Sequence, residues 1–272
     1  MSHHIEVESG KSVKLPTAGK YCDRDIMVTG YGSNEADLQA KYNEGKQAEY
    51  DAFWDGYQIN GTRAWYPYAF GGTGWTKENF RPKYPMQPVG TTGCEGMFYY
   101  FARYKTYDND MFDFAELSEQ IDFSKCTRAT NTFRNACVKN LYCDFSNCTQ
   151  MSYTFDTDSG GWSDYITIKV SEKLTDCLYA FRYAAHLTEL RFTEDSVLAA
   201  SINFQWSTDL TKASAGNIMT TLSTTVTGKT VTFSKSAIDK AFETSSGAND
   251  GSTSAEWTTL VNARPSWTVV LA

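Results

Sequence analysis

Two stretches of twelve residues, DFSKCTRATNTF at 122–133 and DFSNCTQMSYTF at 144–155, say nearly the same thing twenty-two residues apart. Repetition at such a period constrains a chain more than its composition does. A catalytic motif needs no copy, whereas a supersecondary unit that cannot bury its own apolar face needs neighbours of its own kind. The duplication therefore speaks to architecture before chemistry.

Four blocks align on phenylalanine. They are Cys94-Glu-Gly-Met97 with Phe101, Cys126-Thr-Arg-Ala129 with Phe133, Cys148-Thr-Gln-Met151 with Phe155, and Leu174-Thr-Asp-Cys177 with Phe181. Each puts apolar residues at its first, fourth and eighth positions. Between the blocks lie alternating pairs that read as short strands: Ile121 and Phe123, Cys143 and Phe145, Ile166 and Ile168, Leu190 and Phe192. Stepping from Ile121 to Cys143, Ile166 and Leu190 takes 22, 23 and 24 residues, inside the period of roughly 20–29 typical of leucine-rich solenoids. VKNLYCDF and LTELRF also match the L-x-x-L-x-L pattern of such coils. Strand and block residues then share one interior, in which a free cysteine serves as a small buried hydrophobe.

The flanks read differently. Residues 1–32 hold three short alternating runs punctuated by Gly10, Gly19 and Gly30, a small β module suited to attachment. Residues 33–58 carry a helical stripe of Leu38, Tyr42, Phe53, Trp54 and Tyr57 behind an N-cap at Asn34. That stripe suits either docking on its own domain or a homo-oligomeric, for instance trimeric, stalk. Residues 59–92 are an aromatic, Gly/Pro-rich connection or N-terminal cap, 93–205 the solenoid, and 206–272 an α+β C-terminal capping unit, since an exposed last turn needs one. The fold class expected is mixed α/β: a small N-terminal β module and helix, then an irregular leucine-rich-repeat solenoid with an α+β cap.

Charge and hydropathy remove several partners. The net charge of −7, with no Lys/Arg cluster longer than a dipeptide, gives no footprint for a phosphate backbone, so nucleic acid is not expected. No apolar run approaches the roughly 20 residues of a spanning helix, so membrane insertion is not expected either. MSHHIEVESGKSVKL lacks the basic start and apolar run of a secretory signal. Seven cysteines without close C-x-x-C pairs fit reduced, buried thiols.

Candidate chemistry is sparse. His3 and His4 offer no preorganised third ligand, and His186 reads as a repeat-surface histidine, so no metal and no cofactor are expected. Asp156 and Asp158 in DTDSGG, like Asp108, Asp110 and Asp113 in DNDMFD, alternate as calcium ligands do. The twelfth position from Asp156 is Thr167, however, where a bidentate glutamate belongs, so turn chemistry explains them better. No nucleophile has a histidine and acid at motif spacing, and catalytic residues are expected to be none. Trp65, Tyr68, Trp75, Tyr99, Tyr104, Trp162 and Tyr165 fall in irregular segments, where they either pack the core or stack on sugar rings.

On these residues, the chain resembles leucine-rich repeat proteins of the BspA type, whose turns carry Cys and Phe at similar spacing and whose copies are common in prophages and gut Firmicutes. The likeness covers roughly 93–270, with LTKASAGNIMTTL and GKTVTFSKSAIDK similar to the C-terminal unit of phage-encoded members. VESGKSVKLPTAGKYCDRDIMVTGYG resembles small β modules of phage tail proteins. The resemblance implies a virion protein of the tail region, made in the host cytoplasm. Its partners would be other virion proteins and a host-surface glycan or protein. Two alternatives stay open: a bacterial surface adhesion protein, and a glycan-cleaving tail enzyme that would need two opposed carboxylates in one groove.

Overall fold

The computed structural model describes residues 64–65, 70–72, 75, 80, 87–88, 94–102, 111–117, 121–158 and 161–272. The β module expected over 1–32 and the helix expected over 33–58 lie outside them. The described chain is mostly β, with parallel strands in a solenoid-like arrangement and a few helices. Strand β1 (Ala64–Trp65) pairs with β2 (Gln87–Pro88). A four-stranded parallel sheet follows: β3 (Phe112–Asp113), β4 (Cys137–Asp144), β5 (Trp162–Lys169) and β6 (Leu190–Phe192), in chain order. A second parallel sheet takes β7 (Ile202–Phe204), β8 (Lys229–Phe233) and β9 (Trp267–Leu271). Helices α1 (Lys212–Thr221), α2 (Lys235–Ala241) and α3 (Ala255–Asn262) fill the crossovers of this second sheet.

The repeated D-F-S marks a corner. Asp122 Oδ1 accepts from the Ser124 amide at 2.8 Å and Asp144 Oδ1 from the Ser146 amide at 2.9 Å, and Asp113 does the same for Ala115. Each carboxylate closes a local turn while the next residue, Phe114, Phe123 or Phe145, drops into the core. In the last three blocks a threonine follows the first residue, and it stitches one turn to the one before: Thr149 Oγ1 donates to the Thr127 carbonyl and Thr175 Oγ1 to that of Thr149. Thr132 and Thr154, fully buried, bond the carbonyls of Cys94 and Ala129 from inside. A buried hydroxyl is tolerated only with such a partner.

All twelve block residues are buried, yet the first block sits three places off the register expected. The amides of Gly96 and Phe98 bond the carbonyls of Thr130 and Thr132, as those of Asn131 and Phe133 bond Ser152 and Thr154. Cys94 therefore stands opposite Ala129, and Phe98, not Phe101, opposite Phe133. The left-handed backbone of Gly96, Asn131 and Tyr153 (φ 61°, 58° and 59°) marks the same column. Spacing decided the outcome: Cys94 to Phe98 is four residues, as is Ala129 to Phe133. The resulting ring stack runs Phe98, Phe133, Phe155, Phe181, Phe204 and Phe233, with centroids 4.9, 5.5, 5.2, 5.1 and 5.8 Å apart. Because Phe204 lies in β7 and Phe233 in β8, the 206–272 segment prolongs the stack as well as ending it.

One further expectation changes. The strand ladder sets Leu141 opposite Ile166 and Cys143 opposite Ile168, where the spacing had set Cys143 against Ile166; the pairing already runs 25 residues apart at Cys137 and Trp162, because the turn that leads into β5 is longer than the one that leads into β4. Cys94 and Cys126 meet across successive turns, their Cα atoms 6.1 Å apart. Cys137, Cys143, Cys148 and Cys177 are buried thiols. Burial pushes the Cys148 thiol up to about 12 and raises Cys143 and Cys177 as well, so these three stay protonated and inert.

Candidate functional site

Regular alternation would turn every second residue of β4 and β5 outward. Both strands break it at the same point. Lys139 pairs with Asp164 and Leu141 with Ile166, and between them Asn140 and Tyr165 adopt left-handed backbone (φ 56° and 50°). The matched bulges leave Leu141, Cys143, Ile166 and Ile168 facing the core and aim Asn140 and Tyr165 at solvent. Asparagine tolerates this conformation, whereas tyrosine does so against its steric preference.

Buried Asp164 holds the bulge in place. Its Oδ1 accepts from the amides of Tyr165 (2.8 Å), Thr188 (2.9 Å) and Glu189 (2.9 Å), and Thr188 Oγ1 donates to the same carboxylate. Amides displaced by the bulge thus find an acceptor within the protein. A strained residue persists only where its surroundings over-determine it, and such positions cluster at functional sites.

Two outward columns result across β4, β5 and the start of β6. One is Asn140, Tyr165 and Glu189; the other is Tyr142, Thr167 and Arg191. Together they line a groove of about 710 Å³. Tyr165 is 50% exposed and Tyr142 36%. Burial pushes the Tyr142 phenol up, which keeps its hydroxyl neutral. Glu189 Oε1 accepts from Thr211 Oγ1 at 3.2 Å, while its buried Oε2 makes no hydrogen bond and lies 3.8 Å from Arg191 Nη2. The Arg191 side chain is 66% exposed. The groove therefore offers aromatic faces, one acceptor awaiting a donor, and one loosely held guanidinium.

The other sequence candidates are scattered. Trp75 is fully buried, packed on Phe70, Phe80 and Phe101, and is core instead of platform. Trp65 lies in β1. Tyr68 and Tyr104 fall outside the described residues. Trp162 is half-buried and stacks on His186 at 3.7 Å between centroids; burial lowers the His186 pKa, opposed by Asp209 and Asp164. Tyr99 belongs to a different corner, beneath the Arg134 guanidinium. There Asp156, fully buried, is gripped by Arg134 and Arg182 at 3.1 and 2.7 Å, and Asp158 by the same pair at 2.6 and 3.1 Å. Burial raises the Asp156 pKa against the pull of the Arg182 hydrogen bond. The DTD carboxylates are thus committed to arginines. Among the described residues no three His, Cys, Asp or Glu side chains are grouped to hold a metal ion, and no helix is long and apolar enough to cross a membrane.

Of the aromatic candidates among the described residues, Tyr165 lines the groove. Tyr142, Glu189 and Arg191 were missed, although Tyr142 alternates visibly between Leu141 and Cys143. No protein-family model, curated protein or solved structure matches the chain.

Proposed function

We propose that the chain is a non-enzymatic structural protein of a bacteriophage tail. Its turns, of the BspA leucine-rich type, carry a recognition surface toward the host cell, and its N-terminal segment joins other virion proteins or further copies of itself. The observation that carries this reading is the organised groove on the parallel sheet, a preformed surface mounted on a stack of turns. The bacteriophage assignment rests on the sequence resemblance over 93–270 taken together with that of VESGKSVKLPTAGKYCDRDIMVTGYG to small β modules of phage tail proteins. Among the described residues the lining of the groove holds one carboxylate, Glu189, where hydrolysis through paired acids uses two.

The test is cryo-electron microscopy of particles from a host that carries the gene. Density for this chain as symmetric copies at the tail supports the proposal, and a distal position supports host recognition. Intact particles without the chain defeat it and bring a cell-surface role forward.

A further inference from the structure

We infer that the groove on β4–β6 binds an uncharged polysaccharide, one pyranose ring lying on Tyr165 with adjacent hydroxyls between Glu189 and Arg191. This deepens the host-recognition reading and rests on it for biological meaning, though not for its chemistry.

Four observations converge. Tyr165 is held outward by a backbone conformation that its side chain disfavours, so the ring is preset before any ligand arrives and loses little freedom on binding. Strands in a sheet lie about 4.8 Å apart, close to the width of a pyranose. A sugar centred on Tyr165 of β5 therefore reaches Tyr142 on one neighbouring strand and Glu189 with Arg191 on the other. Glu189 Oε2 is the third observation: a buried acceptor without a hydrogen bond is costly until a donor arrives. A sugar hydroxyl supplies that donor, and the neighbouring hydroxyl accepts from Arg191. Oε2 lies beside this guanidinium, whose exposure leaves it free to swing aside or to bridge both oxygens.

The fourth observation is charge. Among the described residues of the lining Arg191 is the single cation and Glu189 the single carboxylate, so their charges balance, and the whole chain carries −7. A polyanion such as a teichoic acid or hyaluronate meets net repulsion as it approaches. A hydroxyl-rich neutral chain meets none. Aromatic faces with a few convergent polar groups are the usual make-up of such pockets.

The experiment titrates the full chain with neutral polysaccharides (a glucan, a mannan and a galactan) and with hyaluronate, by calorimetry and by saturation-transfer NMR. Saturable binding of at least one neutral polymer is expected, little changed between 50 and 300 mM salt. Tyr165→Ala and Glu189→Gln each weaken it about tenfold while the circular dichroism and melting temperature stay those of the parent. Three results overturn the inference: no neutral polymer binds, binding survives both substitutions, or hyaluronate binds in a salt-sensitive manner that Arg191→Ala abolishes. Failure here is separable from failure of the tail assignment. Particles that contain the chain without sugar binding remove the ligand and keep the assignment, whereas sugar binding by a chain absent from particles does the reverse.

Discussion

Tyr165 carries a strain that can be measured. Left-handed backbone costs an L-residue roughly 1–2 kcal/mol, and glycine relieves it at an entropic cost of about 0.5–1 kcal/mol. Tyr165→Gly is therefore expected to leave stability unchanged or raise it by up to about 1 kcal/mol in denaturant titrations, while removing the ring from the groove. A loss above about 2 kcal/mol would mean that the ring props up the sheet. His186 yields a second prediction. Its folded pKa is lowered by burial against Trp162, so between that value and the ordinary value near 6.5 the unfolded chain binds more protons. Stability from this stack is present above about pH 6.5 and is lost as pH falls through the folded pKa. NMR titration of the His186 ring should show the lowered midpoint, and Trp162→Ala should return it toward 6.5.

At the scale of elements, β6 poses the problem of every edge strand, a row of unpaired backbone groups. Helix α1 answers it with side chains. Asn217 Oδ1 accepts from the Phe192 amide at 2.6 Å and its Nδ2 donates to the Phe192 carbonyl at 3.0 Å, while Ser214 Oγ accepts from Leu190. Asn217 thus imitates the strand that is not there. Asn217→Ala is expected to cost about 1–3 kcal/mol, and light scattering should show concentration-dependent association through the exposed edge. This capping was not legible in the sequence, because nothing in KASAGNIMTT says which side chains reach another element. The strands were legible from the alternation in VKNLYCDF, and the buried blocks from apolar spacing. Register was not: the first block slid three places because cysteine and phenylalanine recur at two spacings, and the bulge at Tyr165 has no glycine to announce it. Half of the groove was hidden as well: the register that sets Ile166 against Leu190 also sets Tyr165 beside Glu189, but apolar spacing does not say which polar residues share the outer face.

The described part of the molecule is a solenoid-like column in which each turn packs on its neighbours, so stability is close to a sum over adjacent turns. Phe155 sits mid-stack between Phe133 and Phe181. Phe155→Ala should cost about 3–5 kcal/mol, and hydrogen exchange should show protection falling most in β4 and β5 and least in β8 and β9. The tight places in the column are backbone contacts: a Cβ on Gly161 would stand 2.5 Å from Asn135 Cα, so even alanine there would force adjoining turns apart. Parallel strands about 4.8 Å apart also make the column a graduated rule. Duplicating one whole turn would lengthen the molecule by one graduation and carry the pattern of every face forward unbroken, whereas inserting a single residue within a strand would put everything beyond it out of phase. Reach can therefore change by whole turns, and a turn added outside β4–β6 would leave the groove its geometry.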